Sequence, residues 1–384
     1  MAMSITSKRS RVLRRLLIPG MLGFIFGACI GAFGAGWIMV QKTVGELQEP
    51  RVTSTVDSNQ LSPTQSPDDY YGVINEIQRF IYQDFSTAIS GLKEAMETVS
   101  NSLDQALAHS YLVFAYEIRG DHELAVAHYQ QVQNLVQPSI DESSDPWDVS
   151  RAFEYVVRSA VTVGDLDTAQ QEYEAMKARI ESLIGEINEA PTLARVYRNL
   201  IEAASEVMEY EETEKYFTEM ETQLSPMLDN LTTAEEIGLA YYQLVQAANI
   251  VGDSNRSEIY NQALIDRLKP LRKGISDEKM LMKVNRYLGD AEFALGNYDF
   301  AAVYYHDLVQ LEHSTYNVYL LASTYSLGGN YGCAFTWYQN VALVAENDTT
   351  SVYTDLYKEG AEAGLESIRE FADTVGGFPE CNVR

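Results

Sequence analysis

The stretch YLGDAEFALGNYDFAAVYYHDL, residues 287–308, decides the fold. Gly296 lies at its centre, with small residues at Ala291 and Ala301 on either side. Leu288, Tyr305 and Leu308 complete an apolar pattern around it. Glycine takes a positive φ where a first helix ends. The small residues let two antiparallel helices approach closely, and spacings of three to five keep the larger apolar residues on one face. One such hairpin cannot bury its apolar face alone, so the pattern predicts stacking against copies of itself.

The copies are present. Steps of 44 residues back from Gly296 reach Gly252, Met208, Gly164 and Gly120. Small residues follow each reference point at Ala125, Ala169, Thr213, Ser257 and Ala301, then Tyr129, Tyr173, Phe217, Asn261 and Tyr305. Val132, Met176, Met220, Leu264 and Leu308 come next. Before the reference points run Leu112, Val156, Leu200, Leu244 and Leu288, then Ala115, Ser159, Ala203, Ala247 and Ala291. A sixth copy follows a shorter step, centred on Gly329 with Leu321, Thr324, Ala334, Tyr338 and Val341.

This pattern resembles the tetratricopeptide repeat family over residues 106–345, and the resemblance implies helical hairpins wound into a solenoid. The family repeats every 34 residues and HEAT-type repeats come near 44, but the small–Gly–small–aromatic spacing fits the tetratricopeptide hairpin better. The extra length is expected in longer helices and in loops such as PSIDESSDPW, residues 138–147. Pro146, Pro191 and Ser276-Asp277-Glu278 mark first-helix starts. Residues 70–105 are expected to form N-terminal capping helices, with Ile74, Ile77, Ile81, Phe85, Ile89 and Leu92 on one side of the first. Residues 346–384 supply a C-terminal capping helix and tail, with Leu356, Ala363, Ile368 and Phe371 on the helix face.

Residues 16–40, LLIPGMLGFIFGACIGAFGAGWIMV, carry no charge. At 1.5 Å per residue they make about 37 Å of helix, enough to cross a ~30 Å hydrocarbon layer. A cleaved signal peptide should be shorter and end at a small-residue site, whereas this run continues through Trp37, Ile38, Met39 and Val40. The expected architecture is therefore all-α: a helical-hairpin solenoid preceded by one transmembrane helix. Lys8, Arg9, Arg11, Arg14 and Arg15 crowd residues 1–15, so positive-inside bias keeps that segment cytoplasmic and sends the solenoid to the periplasm or lumen. Gly23, Gly27 and Gly31 share a helix face on which a second membrane helix can pack, although glycine is common in membrane helices generally. Residues 41–69, with Pro50, Pro63 and Pro67, form a flexible linker.

The formal charge is −27; setting aside the five basic residues at the start leaves about −32 on the rest. Such a body repels nucleic acid and anionic lipid. Cys333 and Cys381 form one disulfide or remain two thiols, and the sequence leaves both open. No HExxH, GxSxG, phosphate-loop or EF-hand motif occurs, and His109 and His128 fall on packing positions. No catalytic residue, metal or cofactor is expected, and the chain is read as a non-enzyme. N-x-[ST] triplets at Asn230, Asn255 and Asn347 matter only in a eukaryotic secretory lumen.

In tetratricopeptide arrays the first helix of each pair lines a concave groove, and the resemblance places Arg151, Glu154, Arg158, Arg195, Arg198 and Glu202 there. It adds Tyr242, Gln246, Asn249, Lys283, Arg286 and Asp290 further along. Six scarce basic residues thus gather at groove positions, which suits a protein partner with an acidic or C-terminal peptide segment. Pairing of Arg158 or Arg198 with Glu154, Glu202 or Glu206 is the simpler reading. The expected function is a membrane-tethered protein interaction scaffold, in an envelope-assembly, secretion or chaperone setting. The alternative is a self-assembling structural protein, a homo-oligomer through the glycine face and the solenoid ends.

Overall fold

The computed structural model describes residues 85–99, 101–346, 354–375, 377 and 381. The expectations for residues 1–84, which include the membrane helix, its glycine face and the cap-helix positions Ile74, Ile77 and Ile81, lie outside the described residues. Among the described residues all regular structure is helical, and no helix there is long and apolar enough to cross a membrane.

The helices are α1 (Phe85–Thr98), α2 (Ser102–Arg119), α3 (His122–Glu142), α4 (Pro146–Val163), α5 (Leu166–Leu183), α6 (Ala190–Glu206) and α7 (Tyr210–Leu228). They continue as α8 (Ala234–Val251), α9 (Ser254–Arg272), α10 (Glu278–Ala294), α11 (Tyr298–Leu311), α12 (Thr315–Leu327), α13 (Tyr331–Ala345) and α14 (Thr354–Val375). From α2 to α13 they pack as six hairpins. First helices also touch one another in series, α2 to α4, α6, α8 and α10, while each second helix leans on the first helix of the next pair. One layer of first helices backed by second helices is a solenoid.

The turns carry the geometry that the glycines call for. Gly120, Gly164, Gly252, Gly296 and Gly329 have φ of 88°, 82°, 76°, 74° and 74°, and Met208 has 65°. In the central example the Gly296 N–H donates to Phe293 O at 3.0 Å and the Asn297 N–H to Glu292 O at 2.8 Å, which satisfies carbonyls at the end of α10. Met208 takes the same shape with a side chain, and Glu209 N–H still reaches Ala204 O at 2.9 Å. A non-glycine residue in this region stores about 1 kcal/mol or more. Met208→Gly should therefore stabilise the fold by about 1 kcal/mol, read as a higher urea midpoint with unchanged slope.

The apolar repeat positions form the core. Ala125, Ala169 and Ala301 are fully buried, as are Tyr173 and Phe217, with Tyr305 and Leu308 at 1% and 3% exposure. Apart from the turn residues themselves, Ser257 alone of the residues named for the repeat is not buried. The extra length over a short hairpin goes mainly into helix: α3 runs through Pro138 to Glu142 and α4 starts at Pro146, so only residues 143–145 of the expected loop at 138–147 lie outside helix. Pro226 in α7 and Pro270 in α9 sit at the corresponding place near their helix ends. A proline there stops the ladder within about a turn.

Caps close both ends. Ile89 and Leu92 of α1 are buried beneath α2. On α14 the packed residues are Tyr357, Ala361 and Ile368, while Ala363 and Phe371 of the expected face are exposed. Close approach decides this, because Gly360 lies against Tyr319 and Gly364 against Tyr338. Cys333 at the start of α13 is joined to Cys381 by a disulfide, which ties the tail beyond α14 to the last hairpin.

Candidate functional site

Each inner first helix, α4, α6 or α8, has its second helix on one flank and neighbouring first helices on two others. Its fourth side carries the half-exposed polar and aromatic residues, from Trp147 on α4 to Tyr287 on α10. All eight predicted groove residues fall on these helices, Arg151 and Arg158 on α4, Arg195 and Arg198 on α6, Tyr242 and Asn249 on α8, Lys283 and Arg286 on α10. Their surroundings differ sharply.

Arg151 is almost wholly buried. Its guanidinium donates to Asp104 Oδ1 of α2 at 2.7 Å and to the Tyr155 hydroxyl at 3.1 Å. Arg158 pairs with Glu154 at 2.9 Å and donates to Ser110 Oγ at 2.9 Å, while Arg198 pairs with Glu202 at 2.7 Å. Lys283 meets Glu235 at 3.3 Å. Arg286 bonds only neutral partners among the described residues, donating to Asn317 Oδ1 at 2.6 Å and to the Tyr316 hydroxyl at 3.3 Å. Arg195 has no ion pair or hydrogen bond among the described residues; its guanidinium lies 5.1 Å over the Trp147 ring.

A second group had a weaker sequence signal. Glu154, Glu202 and Glu206 face Arg158 and Arg198, leaving one carboxylate in excess. Burial pushes Glu154 up against the pull of Arg158. Glu206 is pushed up to about 7, first by burial and then by the charge of Glu202, with Arg158 opposing and Glu154 reinforcing the shift. It is also the last residue of α6, where the helix carbonyls repel an anion. A carboxyl whose folded pKa lies above its unfolded value contributes stability that is full at low pH and lost as pH rises through about 7. Glu206→Gln should therefore raise stability by about 2–3 kcal/mol at about pH 8 and by almost nothing below about pH 4. Thermal melts of both proteins across that range check it.

Two further arrangements had partial signals. Gly238 is interior to α8, and a Cβ there would lie 2.5 Å from Cδ2 and Cε2 of Tyr287. A helix-interior glycine costs about 1 kcal/mol against alanine, and this close approach of the Tyr287 ring is what it permits. Tyr287 in turn stands 5.7 Å from the Tyr242 ring and feels the charge of Arg195. His109 and His128 share a hydrogen bond, Nδ1 to Nδ1 at 2.7 Å, between α2 and α3. Burial lowers both, His128 to about 4, so the pair is neutral near pH 7. Among the described residues no group of three or more His, Cys, Asp or Glu gathers as metal ligands would.

No family model matches the chain, and no curated protein matches it. Solved structures do resemble it at low identity. A tetratricopeptide repeat protein from Parabacteroides merdae is 13% identical, with 79% of this chain and 99% of that one covered and a TM-score of 0.33. BtubC (BKLC) from P. vanneervenii is 19% identical, with coverage of 64% and 89% and a TM-score of 0.30. Aspartyl phosphate phosphatase F from Bacillus subtilis is 11% identical, with coverage of 82% and 73% and a TM-score of 0.30. At such scores the likenesses carry no weight for function, and the solenoid stands on its own helix contacts and turn geometry.

Proposed function

We propose that this chain is a membrane-tethered scaffold of the tetratricopeptide type, with its 44-residue spacing, and that it holds a protein partner in the groove of its first helices. The observation that carries this reading is the continuous first-helix layer, whose open side presents arginine, tyrosine and tryptophan across neighbouring repeats. Broad arrays of rigid aromatic and guanidinium side chains favour protein recognition. The uncharged run at residues 16–40 supports a single membrane crossing, and the basic residues before it support a solenoid on the non-cytoplasmic side. The Cys333–Cys381 disulfide agrees with an oxidising compartment such as periplasm or lumen. The reading is non-enzymatic, with no cofactor.

Protease protection tests the tethering. In sealed inside-out vesicles the solenoid should survive added protease, and in right-side-out vesicles it should be digested. Digestion in the inside-out preparation overturns the topology. Release of the full chain by carbonate washing overturns the membrane helix. The mass of the full chain in micelles separates the alternative, because a self-assembling structural protein should recover only its own multimers.

A further inference from the structure

We propose that Arg195, on a shelf made by Trp147, Tyr242 and Tyr287, anchors an acidic side chain of an extended partner segment that carries an aromatic or large apolar residue beside it. This rests on the groove reading above and names what the groove takes.

The first ground is the state of Arg195. Acidic residues outnumber Lys and Arg by 55 to 28 in this chain, and Arg151, Arg158, Arg198 and Lys283 each have a carboxylate partner. Arg195 has none among the described residues. Its guanidinium carbon lies 5.1 Å over the Trp147 ring. Its N–H groups have no hydrogen-bond partner among the described residues, and a guanidinium edge pairs with a carboxylate through two parallel hydrogen bonds.

The second ground is the ring system beside it. The groove strip crosses four helices: Trp147 on α4, Arg195 on α6, Gly238 and Tyr242 on α8, and Tyr287 on α10. Bare backbone at Gly238 is what lets the Tyr287 ring lie across α8. Trp147 and Tyr242 stand on α4 and α8, the first helices on either side of α6, which suits a segment that passes over Arg195 and does not end on it. The ligand is therefore a side-chain carboxylate within a chain. The rings supply apolar contact for its neighbour.

The third ground is charge. Arg286, next in sequence to Tyr287, also lacks a carboxylate partner among the described residues. The nearby acids are engaged: Glu235 by Lys283 at 3.3 Å, and Asp290 by the Tyr305 hydroxyl at 2.7 Å. The excess carboxylate of Glu154, Glu202 and Glu206 lies further along the same two helices, toward their C-terminal ends, so an acidic residue is favoured at Arg195 and disfavoured beyond it.

The test uses the full chain in micelles and fluorescein-labelled peptides, acetylated and amidated, each with one Glu between Phe, Tyr or Leu neighbours. Matched peptides carry Gln for Glu, or a free C-terminal carboxylate as their only acid. Anisotropy titrations should show the Glu peptides binding on the order of tenfold more tightly than the Gln set. Arg195→Gln should lose that preference with its circular dichroism and melting temperature unchanged. Gly238→Ala should weaken binding by displacing Tyr287. Equal binding of the Gln peptides, dependence on a free terminus, indifference to Arg195→Gln, or no binding at all would each overturn the proposal. A partner crosslinked to the groove in membranes, yet retained by Arg195→Gln, would remove this anchor and leave the scaffold reading standing. Failure to capture any partner would remove the scaffold reading itself.

Discussion

Arg151→Met should destabilise the protein by about 3–5 kcal/mol, because it removes one member of a buried ion pair and leaves the buried Asp104 charge less well compensated. The two side chains are each 7% exposed and meet at 2.7 Å. Taking either charge out of water is expensive, and their mutual attraction with the Tyr155 hydrogen bond offsets that cost only while both are present. The double variant Arg151→Met/Asp104→Leu should recover most of the loss, since a well-packed apolar pair of similar volume is about as stable as a buried ion pair. Urea unfolding of the two variants beside the parent measures it. A single variant within about 1 kcal/mol of the parent would show that water reaches the pair and that α2 and α4 are held together by other contacts.

Tyr305→Ala should cost about 3–5 kcal/mol, the usual range for deleting a buried aromatic ring. Tyr305 is 1% exposed, its ring fills the space over Gly289, and its hydroxyl donates to Asp290 at 2.7 Å. A Cβ at Gly289 would lie 2.5 Å from Tyr305 Cε1. Gly289→Ala alone should therefore overpack the α10–α11 hairpin and cost about 1–3 kcal/mol. The two changes should not add, because the new methyl enters the space that the ring vacates. A double-mutant cycle by urea unfolding reads this coupling, and strict additivity would place the two residues out of contact.

Tyr305 also shows why the hairpins were legible in the sequence. A turn with positive φ and two closely packed helices leave few residue types that fit, so glycine, alanine and aromatic residues recur at fixed distances. Met208 kept the same turn without glycine because the cap hydrogen bonds still form. The arginines were legible only in number and helix. Arg151 finds Asp104, and Arg158 finds Ser110, across the register between one first helix and the one before it. Periodicity along a single helix does not contain that register, so paired and unpaired arginines looked alike. Trp147 was hidden for another reason: it follows Pro146 at a helix start and reads as loop, although it carries the stack under Arg195. The Gly238–Tyr287 contact joins residues of two first helices and had no local signature beyond an odd glycine inside α8.

The central claim is that the first-helix groove holds a protein partner. The most direct test places a photocrosslinking amino acid at Tyr242 in the groove, or at the exposed Lys215 on α7 behind it, in the full-length protein in its native membrane. A partner held in the groove should attach as one defined protein through position 242, with little or none through position 215. Equal capture from both positions, or crosslinks only to the protein itself, would contradict it.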